Sequence, residues 1–354
     1  MRVLIATPSL TERLHNLVPL AWALRAAGHD VQVAARPAFT VEVNRTGLVA
    51  AAWGGEGARD GEGAADVLAR HTAAFRADLL LWDELAPAAG DVAAAAGIPS
   101  VRVLAPGSAP DPEGARDDVP LTVDPTSPAL RAPLDPGHRR VRHVPYAGPA
   151  EIPAWLRKLP KRPRIAVTLT GEKAPVAEVF EALADVDAEV IATLPAERIP
   201  EGTTVPDNIR FFDTAPWIAL AQSSAAVVHD AGILRMADVL AYGLPQCVLL
   251  GQDAQERTVR AAHRLAEHGA GFAVEQDLLD GSGLRAAVEA LARDAGPAER
   301  AAGLRAREVA QTPSPRELVA VLEGLIQGPG RPVRGWGRIS PLGSVAAVAP
   351  PFPG

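Results

Sequence analysis

Apolar positions along the 354-residue chain fall into two runs of strand–helix alternation, separated by a stretch without periodicity. The first run opens on Met1–Ala6, an apolar segment of strand length. Leu17, Leu20, Ala21 and Leu24 then recur at i, i+3, i+4 and i+7, which predicts an amphipathic helix over Leu17–Ala27. Gly28 stops it, and Val31–Ala35 reads as the next strand. Ala77–Asp83 and Ser100–Leu104 read as strands, with a helix over Asp91–Ala96 between them. The second run begins with a strand over Arg164–Leu169 and a helix over Val176–Leu183. Strands over Glu189–Thr193, Arg210–Phe212 and Ala225–Val228 follow, then a helix over Ile233–Tyr242 and a strand over Cys247–Leu250. The helix Arg260–Glu267, the strand Gly271–Val274 and helices over Gly283–Asp294 and Pro315–Ile326 close it. Continuous apolar strands alternating with helices predict an α/β chain with two parallel sheets, each covered by helices.

Thirteen of the 33 prolines lie between Pro106 and Pro163, where periodicity is weakest. Proline at that density breaks helices and central strands. The expected organisation is therefore a Rossmann-like domain over 1–120, a Pro-rich connector over 121–163 and a second Rossmann-like domain over 164–327. A Gly/Pro-rich tail spans 328–354. Two such halves place a ligand cleft between them.

Composition narrows the function. Charged residues at 22% and aromatics at 4% describe a globular chain, and a net charge of −7 offers no footprint for nucleic acid or an anionic membrane. The short run Arg139-Arg140-Val141-Arg142 reads as solvated surface. The single cysteine, Cys247, sits in an apolar run, which excludes an internal disulfide and reads as core. No apolar run reaches membrane-spanning length, and the N-terminal one is too short for a signal peptide, so a cytoplasmic protein is expected. No ligand cluster has metal spacing.

The chemistry gathers in Ala225–Gly271. A buried strand, a tight turn and a helix start there form a scaffold that can hold a diphosphate on backbone N–H groups. The turn ends in Ile233-Leu234-Arg235, where a phosphate cradle wants Gly and a small hydroxyl residue. Asp230 reads either as the helix N-cap or as a chemical group. His229 reads either as an acid–base group or as a hydrogen-bonded core residue. Arg235 either pairs with Asp238, three residues on, or meets a phosphate. Trp53, Trp82, Trp155 and Trp217 read as packing residues.

At this point the chain resembles the two-domain GT-B glycosyltransferases that decorate macrolides and polyketides with deoxysugars. Leu17–Val31 is similar to that family's first helix, Thr122–Arg131 and Val144–Leu156 to its interdomain segment, and Asp185–Thr193 to another characteristic stretch. The resemblance implies a GT-B fold with an acceptor side, a donor side and a cleft between. Two stretches look trimmed, Gly54–Ala77 and Pro106–Asp118, where the family shapes its acceptor pocket or docks an auxiliary protein.

The departures are chemical. The family's base histidine, six residues ahead of Pro19, falls on Arg13, which cannot take a proton at neutral pH. The aspartate that orients that histidine matches Asp83, so Arg13 and Asp83 either form an ion pair or Arg13 binds an anion. His15 stands two residues away, in what reads as a polar loop before the helix. On the donor side the base-stacking aromatic falls on Thr214, with Trp217 three positions later. The family's His-His-Gly-Gly-x-Gly-Ser/Thr falls on His229–Arg235, so Asp230, Leu234 and Arg235 replace a histidine, a glycine and a hydroxyl residue. A carboxylate at ~4 Å from a phosphate charge costs on the order of 4 kcal/mol at an effective dielectric of ~20. That is about three orders of magnitude in affinity. Thr170-Gly171-Glu172 matches the phosphate-side loop, with Gly232 at the helix start, and the residues for sugar hydroxyls fall near Asp253, Gln255 and Glu256.

These losses point to a transferase homologue put to other use. It would bind a hydrophobic aglycone-like molecule in the cleft and do acid–base chemistry without a nucleotide sugar or other cofactor. His15, Asp83, Arg13, His229 and Asp230 are its candidate groups. The alternative is an active TDP-deoxysugar transferase with His15 as base, Arg235 on the diphosphate and Trp217 on the nucleobase. A third reading is a non-catalytic partner of a true transferase. A homodimer and a partner protein both stay open.

Overall fold

The computed structural model describes residues 1–54, 63–108, 121–131, 137–171, 174–213, 215–230, 232–275 and 282–327. Thr214, Ala231, Glu172, part of each stretch read as trimmed and the tail over 328–354 lie outside the described residues.

The first half alternates β1 (Arg2–Ala6), α1 (Thr11–Ala26), β2 (Asp30–Ala35), α2 (Thr40–Arg45), β3 (Val49–Ala52), α3 (Ala64–Phe75), β4 (Leu79–Asp83), α4 (Ala88–Ala96) and β5 (Ser100–Val103), then adds β6 (Leu121–Asp124) and β7 (His138–Arg140). Its seven strands run in the order β3-β2-β1-β4-β5-β6-β7, and every pair is parallel. The second half contains β8 (Arg164–Thr168), α5 (Val176–Leu183), β9 (Glu189–Thr193), β10 (Ile209–Phe212), α6 (Trp217–Gln222), β11 (Ala226–His229), α7 (Ile233–Ala241), β12 (Gln246–Leu250), α8 (Glu256–Glu267) and β13 (Gly271–Glu275). Helices α9 (Ser282–Arg293), α10 (Ala295–Gln311) and α11 (Pro315–Ile326) follow. Its parallel sheet has the order β10-β9-β8-β11-β12-β13.

The continuous apolar strands follow from burial on both faces. In β1, Val3 and Ile5 pack with Leu14, Leu17 and Leu24 of α1, while Leu4 and Ala6 pack on the opposite face with Leu68 of α3 and Val92 of α4. Side chains alternate along a strand, so a sheet covered on both sides needs no polar positions. In the second sheet Ile165 and Val167 face α5 and α9, and Ala166 and Val227 face α6.

Three boundaries differ from the expected ones. The connector over 121–163 begins with two strands of the first sheet, because Leu121–Asp124 is fully buried at the sheet's growing edge and its prolines flank the strand. The chain leaves the first sheet only after Arg140. Helix α11, placed in the second domain by sequence, packs Leu318, Val319 and Leu322 into the first domain's core beside α1. Helix α1 begins at Thr11 and not at Leu17, which puts Arg13 and His15 on its first turns and not in a loop. Glu12 in that first turn suits the helix dipole. Pro19 lies inside the helix and has no N–H for the carbonyl of His15.

Candidate functional site

In each sheet the strand order reverses once, between β1 and β4 in the first and between β8 and β11 in the second. Ligands of open parallel sheets sit beyond the carboxyl ends of the strands at such a point. Both reversal points open toward one cleft of about 1190 Å³ between the halves. The first half lines it with Glu12, Arg13, His15 and Asn16 of α1, and the connector with His143, residues 146–151 and Pro153. The second half contributes Thr170, Gly171, Trp217, Asp230, Gly232, Arg235 and Asp238, with Gln255 and Arg257 at the start of α8.

On the first side Arg13 is committed to carboxylates. Its Nη1 donates to Glu84 Oε1 at 2.6 Å and lies 3.6 Å from Asp83 Oδ2. Burial works against the guanidinium charge, but the Glu84 hydrogen bond and the fields of Asp83, Glu84 and Glu12 outweigh it and raise its pKa. Ser108 Oγ donates to the same Glu84 oxygen, which anchors it further. Asp83 is fully buried at the end of β4; its Oδ1 accepts the Leu85 N–H at 2.9 Å, and desolvation pushes the carboxyl up to about 6. Asp83 therefore supports Arg13 from below and does not line the cleft.

His15 does line it. Its ring meets Tyr146 edge-on at 5.0 Å, and the ring Nε2 lies near Gly148. Burial holds the imidazole below its ordinary range, against the fields of Glu42 and Asp238.

On the second side Asp230 spans the reversal point. Its Oδ1 accepts the Thr170 N–H at 2.7 Å and the Thr170 hydroxyl at 3.2 Å, and its Oδ2 accepts the Gly171 N–H at 2.8 Å. A Cβ on Gly171 would stand 3.0 Å from Oδ2, so glycine permits this approach. The N-cap expectation for Asp230 fails: Gly232 takes the cap position of α7, and Asp230 reaches across to the β8 loop instead. His229 is fully buried, with Nε2 2.8 Å from Gln246 Oε1, so it is a hydrogen-bonded core residue. It does not line the cleft as an acid–base group would.

Arg235 lies over Trp217, its Cζ 4.1 Å from the ring centroid, and its Nη1 is 3.4 Å from Asp238 Oδ2. Trp217 is itself buried among Leu156, Leu220 and Ala221, and Arg235 covers one face of its ring. Trp217 is thus a packing residue with a cation on its ring. Of the three residues expected near a sugar, only Gln255 lines the cleft. Asp253 is exposed on the preceding turn, and Glu256 pairs with Arg260 at 2.6 Å on the outer face of α8. Among the described residues no three His, Cys, Asp or Glu side chains gather as a metal set. No helix among them is long and apolar enough to cross a membrane.

Sequence reasoning missed His143, whose Nε2 lies 2.7 Å from Asp238 Oδ1 inside the cleft, and Gly107, which touches Ile233 of α7. A histidine within the otherwise apolar and basic start of the connector was the available signal for the first.

Residues 177–325 match the C-terminal domain described as erythromycin biosynthesis protein CIII-like. Over 424 aligned positions the chain is 31% identical to the 3-alpha-mycarosylerythronolide B desosaminyl transferase of Saccharopolyspora erythraea, covering 93% of this chain and 99% of the relative. It is 29% identical to the aclacinomycin-T 2-deoxy-L-fucose transferase of Streptomyces galilaeus, over 92% of this chain and 96% of that one. Because 93% of 354 residues fills an alignment of 424 positions, roughly a hundred positions of the desosaminyl transferase have no counterpart here. Among solved structures, the spinosyn forosaminyltransferase SpnP superposes with a TM-score of 0.79 at 29% identity, over 92% of this chain and 99% of its own. The glycosyltransferase VinC, solved with dTDP, superposes at 0.80 and 27%, over 92% and 100%. With this sequence identity over nearly the whole of a desosaminyl transferase and two parallel sheets meeting at one cleft, the chain belongs to the GT-B glycosyltransferases of macrolide and related antibiotic biosynthesis.

Proposed function

We propose that the chain transfers a deoxysugar from a thymidine diphosphate donor to a hydroxyl of a polyketide-type acceptor in the interdomain cleft. The observation that carries this reading is the convergence of both strand-order reversals on one cleft, with His15 on one side and Thr170, Gly232 and Arg235 on the other. His15 takes the proton of the acceptor hydroxyl while that oxygen bonds to the sugar C1 and the bond from C1 to the diphosphate oxygen breaks. Burial favours the neutral ring that a base requires near pH 7. Arg13, held by Glu84 and Asp83, shapes the acceptor wall and carries no proton-transfer role. The names of the desosaminyl and 2-deoxy-L-fucosyl relatives support the donor class. The test is mass spectrometry of purified protein with TDP-deoxysugars and polyketide aglycones, looking for a product heavier by one sugar. His15→Gln should lower kcat by about a hundredfold or more, the usual contribution of a general base. Absence of both a sugar-sized mass gain and TDP binding would overturn the proposal.

A second reading is favoured by one specific contact. The Asp230 carboxylate already fills the two loop amides that a diphosphate would use. Under that reading the cleft takes an apolar aglycone and performs acid–base rearrangement without a nucleotide sugar. Its signature is a rearranged product with no sugar mass added, from a protein that ignores TDP.

A further inference from the structure

Four side chains form a relay along the floor of the cleft. His143, on the connector, places Nε2 2.7 Å from Asp238 Oδ1. Asp238 turns its other oxygen toward Arg235 Nη1 at 3.4 Å. Arg235 lies flat over Trp217 with Cζ 4.1 Å from the ring centroid. His143 and Asp238 are largely buried, with side chains 6% and 16% exposed. The two residues are also 95 positions apart, His143 on the connector and Asp238 on α7 of the second half.

The strengths of these contacts are unequal. The His143 bond is short and made to a carboxylate, which places it among the stronger hydrogen bonds. The Arg235 contact is long, so its guanidinium is only partly compensated, and its Nε–H has no acceptor among the described residues. Stacking on Trp217 fixes the plane of the guanidinium but satisfies none of its N–H groups. Asp238 is thus located mainly by His143, and Arg235 is located by Asp238 and Trp217 while keeping donors for another anion. Asp238 sits on α7 one turn beyond Arg235, and both line the cleft.

We propose that His143 is a positioning residue for the donor side: it fixes Asp238, and Asp238 with Trp217 holds Arg235 where the donor's diphosphate binds. The connector thereby sets the place of a cation carried by the opposite domain. This rests on the glycosyl-transfer reading of the cleft.

A double-mutant cycle read by calorimetric titration with TDP tests it. His143→Ala should weaken TDP binding about tenfold, the order expected for a bond to a charged group. It should raise KM for the TDP-sugar while leaving kcat within about threefold, since positioning a ground-state contact is uniform binding. His143→Gln, which keeps an N–H donor for Asp238, should restore most of the affinity, and serves if the alanine variant does not fold. Arg235→Gln should weaken binding at least as much, and His143→Ala added to it should cost no more, because the first residue acts through the second. Additive losses, or unchanged TDP binding by His143→Ala, overturn the relay while leaving glycosyl transfer standing. A wild-type chain that does not bind TDP overturns both.

Discussion

Asp230 illustrates how much a single side chain decides in this cleft. Its two oxygens accept the amides of Thr170 and Gly171 and a hydroxyl, so a negative charge already occupies the donors that the end of β8 offers. Removing the charge while keeping an acceptor oxygen should favour an incoming anion. We expect Asp230→Asn to tighten TDP binding by about tenfold. The gain stays below the bare Coulomb figure because the loop is open to water. Isothermal titration of the two proteins at one ionic strength checks it, and weaker binding by the variant would mean that the carboxylate helps the donor site. Asp83 behaves differently, being buried below the cleft with its carboxyl pushed up to about 6. An unfolded aspartate ionises near about pH 4. The folded state therefore holds a proton that the unfolded state has lost, and stability from this group declines as pH rises from about 4 to 6. Denaturation of Asp83→Asn should show it more stable than the parent at pH 8, with the difference vanishing below pH 4.

At the level of elements, α11 ties the end of the described chain to the beginning. Leu322, completely buried, enters the core formed by β1, β4 and α1. Leu322→Ala should cost about 2–5 kcal/mol of unfolding free energy, with any separable transition of the first half shifted and that of the second spared. Urea melts followed by probes in each half would reveal the opposite if α11 belonged to the second core. The element pattern was largely legible from sequence, because strands buried on both faces and helices with a 3.6-residue apolar period announce themselves. The helix over Val176–Leu183 and the strand over Glu189–Thr193 have the bounds that their apolar pattern predicts. What was not legible is instructive. Helix α10 carries Gly296 and Pro297 in its first turn, where a missing N–H costs nothing but reads as a break. Strands β6 and β7 are short and embedded among prolines, so only their pairing identifies them.

Across the whole molecule the halves are held by contacts that no local pattern contains. Ala129 and Leu130, just beyond β6, pack with Ile233, Met236 and Leu265 of the second half, and Ser127 Oγ donates to Glu308 of α10 at 2.6 Å. Gly107 makes the closest approach: its φ is +79°, and a Cβ there would fall 2.5 Å from Ile233 Cδ1. Gly107→Ala should therefore cost about 2–3 kcal/mol through strain and overpacking. In an Ile233→Gly background, whose own loss of a buried side chain is measured separately, Gly107→Ala should cost only the backbone part, as chemical denaturation of the two single variants and the double variant would show. A neutral Gly107→Ala would mean that the two halves adjust freely at this point.

The sequence by itself determined the two parallel α/β layers and their alternation, because these depend on periodicity and on residue types at short spacing, and its motif stretches carried the resemblance to the family. It also brought Arg13, His15, Asp230 and Arg235 forward, since each replaces or neighbours a residue that the family's chemistry uses. Only the tertiary structure decided their partners. Arg13 spends its charge on Glu84 and Asp83, Asp230 turns to a loop 60 residues away, and His143 meets Asp238 across 95 residues. Hydrogen bonds and ion pairs act over a few ångströms, and chain separation carries no information about which side chains the packing of two sheets brings within that reach.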